Sequence, residues 1–353
     1  MKAVVKYGYG NRETELREVP VPAIGDDDLL IEVKAAGVCG SDIAFDDGQH
    51  ENLLRPPVIL GHEFAGIVAQ VGQNVKSWQK GDRIVSDNTG YVCGTCHACG
   101  TANYLICPSR LGLGYGMDGG FTKFVRIPGD VLHVFPNSVM RIPEQMSFEE
   151  AAIMDPASNA YKAVVQESTF LAGDFAAVFG VGPLGQFSIQ ALRAAGAAKI
   201  IAIGLSDEPE RFELARKNGA TDIIFADKEN VEKKAAAITA NDGVGLAVDC
   251  AGPAAVLREA IKIVRNGGEI VKIGYDSRPL DFSLDMILDK AISIKGHYGY
   301  NYVSWKNVMN LAVAGKMDLQ ANISHRMKIS QFREAFDLVR NKKSQKIILY
   351  PED

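Results

Sequence analysis

Gly180-Val181-Gly182-Pro183-Leu184-Gly185 stands between two segments of opposite habit. Before it, Ala176-Ala177-Val178-Phe179 is apolar throughout, as a strand covered on both faces must be. After it, Gln186 to Ala195 has a helical pattern and stops at Gly196, a residue suited to the left-handed position past a helix end. A G-x-G-x-x-G run in that setting turns the chain tightly, lets the backbone approach a pyrophosphate and places it on a helix N-terminus. The loop therefore predicts a dinucleotide site built from Gly180, Gly182, Pro183, Leu184 and Gly185.

The surroundings agree. Apolar strands at Phe175–Phe179, Lys199–Ile203, Asp222–Phe225, Leu246–Asp249, Gly268–Ile273 and Ala291–Lys295 alternate with amphipathic helices. Such alternation predicts a parallel sheet with helices on both faces. The first 150 residues differ: short Val/Ile runs are broken by Gly, Pro and Asp clusters, which predicts a β-rich domain. The habit changes near Ser147, an expected helix N-cap with Glu150 as its capping-box partner. The last sixty residues hold two helical stretches, Trp305–Ala314 and Ser330–Asn341, and a strand Gln345–Tyr350, expected to pack on the first domain.

A dinucleotide fold usually ends its second strand on a carboxylate for the ribose 2′-hydroxyl. Here that residue is Gly204. A glycine would leave room for a 2′-phosphate, with Arg211 as the nearby cation, but Asp207, Glu208 and Glu210 would repel it. Alternatively Asp207 reaches the ribose from a slightly longer loop. The reading leans to NAD, and Ser206 and Ile273 complete the candidate cofactor-binding set.

Four of the six cysteines lie in Cys93-x2-Cys96-x2-Cys99-x7-Cys107. Four thiolates in one loop can close a tetrahedral zinc site with no open position, the structural type, in a reducing compartment. Iron–sulfur ligation is the rival reading. His97, inside the loop, reads as a solvated bystander.

A second, scattered set is Cys39 in Gly37-Val38-Cys39-Gly40-Ser41-Asp42, His62 and Glu63 in Gly61-His62-Glu63, and Asp155 in Met154-Asp155-Pro156. One thiolate, one imidazole and a carboxylate make a catalytic zinc set that keeps a position for water or substrate. Neighbours such as His62 and Glu63 do not easily face one metal. The expected ligands are therefore Cys39, His62 and Asp155, with Glu63 close by or exchanging. Asp42 would fix the His62 tautomer. Ser41 would pass a proton outward, unless it is only a turn hydroxyl.

Lys and Arg number 38 against 43 Asp and Glu, so the net charge of −5 gives no basic balance for nucleic acid. No polybasic tail suggests a membrane surface. No apolar run reaches the ~18 residues of a span, and the N-terminus has no apolar h-region. The expectation is a cytoplasmic protein.

Together these residues resemble the zinc-containing medium-chain dehydrogenase/reductases, over essentially the whole chain. The resemblance is carried by Gly37–Asp42, Gly61-His62-Glu63, the four-cysteine lobe, Asp118-Gly119-Gly120-Phe121, Asp155-Pro156, the glycine loop and Ile323-Ser324-His325. It implies an α/β chain with a GroES-like catalytic domain over residues 1–157, completed by 297–353, and a Rossmann domain over 158–296. It further implies one catalytic and one structural zinc, NAD(P), and a homodimer or homotetramer. Lys346 stands where relatives carry an arginine near the cofactor phosphates. The acidic residue at position 155 resembles the polyol and threonine dehydrogenase branch. Threonine dehydrogenases carry a histidine three residues before the first lobe cysteine, where this chain has Gly90. The expected reaction is therefore oxidation of a sugar alcohol or other secondary alcohol to the ketone, by hydride transfer to the nicotinamide. The alternatives are a threonine-type amino-alcohol dehydrogenase and a non-catalytic nucleotide-sensing protein.

Overall fold

The computed structural model describes residues 1–352, which form two compact units. The first comprises Met1–Asp155, Asn301–Trp305 and the stretch from Ile323 onward; the second comprises Pro156–Tyr300 and Lys306–Asn322.

The second unit is built on a six-stranded parallel sheet. Its spatial order is Asp222–Phe225, Lys199–Gly204, Phe175–Phe179, Val244–Asp249, Val264–Lys272 and Ser293–Gly296. That is the 3-2-1-4-5-6 order of the Rossmann fold. Alternation along each strand separates two cores. Ala176, Val178, Ile200, Ala202, Leu246 and Val248 pack on one face. Ala177, Phe179, Ile201, Ile203 and Ala247 pack on the other. Successive side chains on a strand point to opposite faces, so a run apolar at every position needs helices on both.

Residues 306–322 go with this unit, beyond the sequence-based end at residue 296. Hydrogen bonds explain why. Asn307 Nδ2 donates to Tyr161 Oη at 3.2 Å, and Gln190 exchanges bonds with the Asp318 backbone at 2.8 Å. Asn218 Nδ2 reaches Asn322 Oδ1 at 3.2 Å.

The first unit is β-rich. Leu29–Val38 is central to its large mixed sheet and pairs antiparallel with Glu63–Val71 and Phe124–Ile127. The C-terminal strand Lys346–Tyr350 also pairs with it, Ile347 opposite Val38, and carries Ile323–Lys328 beside it. The tail therefore completes the sheet of the first unit. This register sets the ends of Leu29–Val38, Glu63–Val71 and Lys346–Tyr350 together, which positions the metal site. Ser147 caps the helix Phe148–Ala152 by accepting from Glu150 N at 3.1 Å, while Glu150 accepts from Ser147 N at 2.8 Å.

Candidate active site and dinucleotide site

Cys39 follows the strand Leu29–Val38 and is the N-cap of the short helix Gly40–Asp46. Asp42, in the first turn, accepts from Cys39 N at 2.9 Å through one carboxylate oxygen. Its other oxygen lies 3.2 Å from His62 Nδ1. That pairing leaves His62 Nε2 as the ring nitrogen for a metal, with Ser41 Oγ 3.3 Å from it. Asp42 is fully buried, so its charge acts with little screening. Burial works against an imidazolium at His62, but the charges of Asp42 and Cys39 outweigh it and hold the ring well above its ordinary 6.5.

Cys39, His62 and Glu63 bring one ligand atom each within 4.8 Å of one another. Asp155 is not among them: its Oδ2 accepts from Asn88 Nδ2 at 2.8 Å. This differs from the expected set, in which Asp155 was a ligand and Glu63 the neighbour. The reason is local. His62 precedes the strand Glu63–Val71, so the pleat that alternates side chains begins only at Glu63. Just before it, Gly61 has φ +91, and a Cβ there would stand 2.5 Å from the Phe121 ring.

Glu63 is buried, and its Oε1 has no hydrogen-bond partner among the described residues. A buried carboxylate oxygen left so is costly unless something positive meets it. Sulfur, nitrogen and oxygen donors together are a catalytic zinc set, so the residues fit that metal. The other oxygen, Oε2, pairs with Lys346 Nζ, which also donates to Val38 O at 2.8 Å. Burial opposes the Lys346 charge; Glu63 and Cys39 more than restore it and raise its pKa above the ordinary value. The cofactor-phosphate role expected for Lys346 is thus corrected. Its side chain is 2% exposed and its ammonium is committed to Glu63, because Lys346 opens a strand of the first unit's sheet.

Asn88, Arg110, Tyr115 and Asp87 went unnoticed in the sequence. Arg110 donates to Asn88 Oδ1 and to Tyr115 Oη, and the Tyr115 ring stands edge-on to His62 with centroids 6.2 Å apart. Burial pushes the Asp87 carboxyl up to about 7. The only trace in the sequence is a polar run, Asp87-Asn88-Thr89, directly after an apolar strand.

Cys93, Cys96, Cys99 and Cys107 gather within 4.8 Å, all as free thiols. Cys93 Sγ lies 3.9 Å from Cys99 Sγ and 3.6 Å from Cys107 Sγ. A tetrahedron with Zn–S bonds of about 2.3 Å has edges of about 3.8 Å, so the spacing suits zinc. Backbone N–H groups of Thr95 and Cys96 lower the Cys93 pKa to about 6, which favours the ligating thiolate. His97 is exposed at the start of the helix His97–Gly100.

In the second unit, Gly182 is the N-cap and Pro183 the first residue of the helix Pro183–Ala194. No side chain caps it, so its leading N–H groups face the loop. Gly180 has φ +91, and a Cβ on Gly185 would stand 1.9 Å from Gly180 O. Both glycines are required by the turn, and the loop fits a dinucleotide pyrophosphate. The Gly185→Ala protein is expected to lose about 1–3 kcal/mol of stability and about tenfold in NADH affinity, read by thermal unfolding and fluorescence titration.

At the ribose end the Phe212 ring approaches Gly204: a Cβ there would lie 3.1 Å from Phe212 Cζ. Asp207 is exposed, and Ser206 donates to Asp227 through N at 2.8 Å and Oγ at 2.7 Å. Ile273 follows the strand Val264–Lys272 and packs in the core with Val178 and Val181. Leu184 is half-buried beside the same cluster.

Residues 25–137 match the family model "Alcohol dehydrogenase GroES-like domain", and residues 183–314 match "Zinc-binding dehydrogenase". The chain is 39% identical to the uncharacterized zinc-type alcohol dehydrogenase-like protein YdjL of Escherichia coli (strain K12), over 99% of this chain and 98% of that protein. It is 34% identical to an L-threonine 3-dehydrogenase of Bacillus velezensis over 99% of both. It is 31% identical to the D-arabitol-phosphate dehydrogenase of Enterococcus avium, over 99% of this chain and 97% of that protein. Among solved structures, alcohol dehydrogenase TADH from Thermus sp. ATN1 superposes with a TM-score of 0.88 at 30% identity over 100% of both chains. No helix of the described residues is long and apolar enough to cross a membrane. Whole-length kinship of this order, on a fold carrying both a zinc-type donor set and a nucleotide loop, places the chain in the zinc-containing, NAD(P)-dependent alcohol dehydrogenase family of the medium-chain dehydrogenase/reductases.

Proposed function

We propose that the protein oxidises a secondary hydroxyl of a sugar alcohol to the ketone, reversibly, with a nicotinamide dinucleotide as hydride acceptor. The observation that carries this is the Cys39, His62 and Glu63 donor group with its unpartnered Glu63 Oε1. When bound, zinc supplies the acidification of the substrate hydroxyl and the nicotinamide accepts the hydride. The chain supplies the rest. Cys39, His62 and Glu63 hold the metal, and Asp42 keeps the His62 tautomer that offers Nε2. Ser41, beside that nitrogen, carries the substrate proton outward. Lys346 holds Glu63 in place, and Asp155, aligned by Asn88, orients the hydroxyls of the substrate.

The polyol reading is favoured over threonine by the packing at Gly90. A Cβ there would lie 2.8 Å from Met117 Sδ and 3.2 Å from Leu111 O, so no histidine fits without moving both. The D-arabitol-phosphate dehydrogenase relative supports the same side, and the L-threonine 3-dehydrogenase relative makes threonine the competitor to test. Purified zinc-replete protein should reduce NAD or NADP with a sugar alcohol, free or phosphorylated, with kcat/KM at least about tenfold above that for L-threonine, a gap of about 1.4 kcal/mol. Threonine as the best substrate of such a panel would overturn the reading.

We also place the protein in the cytoplasm, on its thiol-rich lobe, and propose a homodimer or homotetramer. The sheet edge at Ser293–Gly296 has no further strand partner among the described residues, and Leu284 and Leu288 are exposed on the helix segment preceding it. Light scattering that gives a monomer would remove the second proposal.

A further inference from the structure

The second unit lacks a carboxylate at the end of its second strand, yet it is not short of acid there. The acid has moved onto the next helix. Glu208 is the N-cap residue of Pro209–Asn218, four residues past Gly204, and makes no side-chain cap bond. Its Oε2 accepts from Arg211 Nη1 at 2.8 Å, and the two side chains are only 12% and 15% exposed. Arg211 Nη1 stands 3.8 Å from where a Cβ of Gly182 would be, at the mouth of the glycine loop. Gln186 ties this corner together, donating to Val181 O at 3.0 Å and Arg211 O at 2.8 Å.

We propose that Glu208, paired with Arg211, is the residue that makes this enzyme select NAD over NADP. A ribose diol can share the Glu208 carboxylate as a hydrogen-bond acceptor. A 2′-phosphate cannot. It would meet a carboxylate that already neutralises Arg211, the cation at the mouth of the glycine loop. Close by in the chain, Asp227 is held ionised by its bonds to Ser206 with Lys228 beside it, and Asp207 and Glu210 flank Glu208 in sequence with further negative charge. Like charges forced together in a partly buried site weaken binding, whereas a bidentate arginine–phosphate contact would strengthen it. The pairing of Arg211 therefore decides the sign. The proposal rests on the dinucleotide site and not on which alcohol is oxidised, so a failed substrate panel leaves it standing.

The test is direct binding, without substrate. NADH and NADPH are titrated into the zinc-replete protein by nicotinamide fluorescence, and 5′-AMP and 2′,5′-ADP are compared as competitors. The unaltered protein is expected to bind NADH at least about tenfold tighter than NADPH, and 5′-AMP tighter than 2′,5′-ADP. Glu208→Gln keeps the side-chain size, removes the charge and releases Arg211. Its NADPH affinity is expected to rise about tenfold or more while NADH weakens a few-fold. Adding Arg211→Ala to Glu208→Gln should cancel the NADPH gain. A preference for NADPH and 2′,5′-ADP in the unaltered protein would overturn the proposal without any variant. So would a folded Glu208→Gln protein, verified by circular dichroism, whose NADH-to-NADPH ratio is unchanged.

Discussion

The Cys39→Ala protein is expected to lose about 10⁴-fold or more in kcat while binding NADH as tightly as the parent. The magnitude comes from what a metal does to a hydroxyl. Coordination can move the pKa of bound water from roughly 16 toward 7, and even half of that gap is about 10⁴-fold in the ionised population. Cys39 is one of three donors within 4.8 Å, so its loss leaves a two-residue site of weak affinity. The cofactor loop lies in the other compact unit, which is why NADH binding should be spared. The control is metal content: the Cys39→Ala protein should keep its lobe zinc and lose the other. Parent-level turnover in the metal-depleted variant would mean that the donor group has no part in the reaction.

Cys96→Ser is expected to act on stability instead. The lobe thiols are spaced for a closed tetrahedron, and a closed site leaves no position for substrate. Structural zinc contributes about 10–16 kcal/mol of apparent binding free energy in small zinc-dependent folds. Even partial loss of that term should lower the thermal midpoint by about 10 °C. It should also open the loop at the exposed Gly94, Thr95 and Thr101 to proteolysis. Zinc content should fall by one equivalent, with kcat per catalytic zinc little changed in the protein that remains folded. Full zinc retention with an unshifted midpoint would show that Cys96 is not a ligand.

The two substitutions address features of different legibility. The lobe could be read directly, because four ligands within fifteen residues leave the chain few ways to arrange them. The catalytic set could be read only in part. Cys39, His62 and an acid stand out as a group, with Asp155 expected as the ligand and Glu63 close by or exchanging, because neighbours such as His62 and Glu63 do not easily face one metal. In the structure the strand starts at Glu63 with His62 just before it, and ligand atoms of both come within 4.8 Å of Cys39 Sγ. Lys346 was assigned to the cofactor by position in the family pattern, and the fold instead buries it against Glu63, 283 residues away in sequence. Nothing in the sequence signals that the Phe212 ring approaches Gly204.

Short-range physics made several features legible in the amino-acid order: the glycine turn with its strand and helix, the four-cysteine loop, the Ser147 capping box and the apolar periodicity of the parallel sheet. Each rests on residues near one another along the chain, where backbone geometry and side-chain period are fixed locally. It took the folded chain to bring Glu63 to Cys39 and His62, and Lys346 to Glu63. Those outcomes depend on strand register between distant segments and on the cost of leaving a buried charge without a partner, and neither is written in any local stretch of residues.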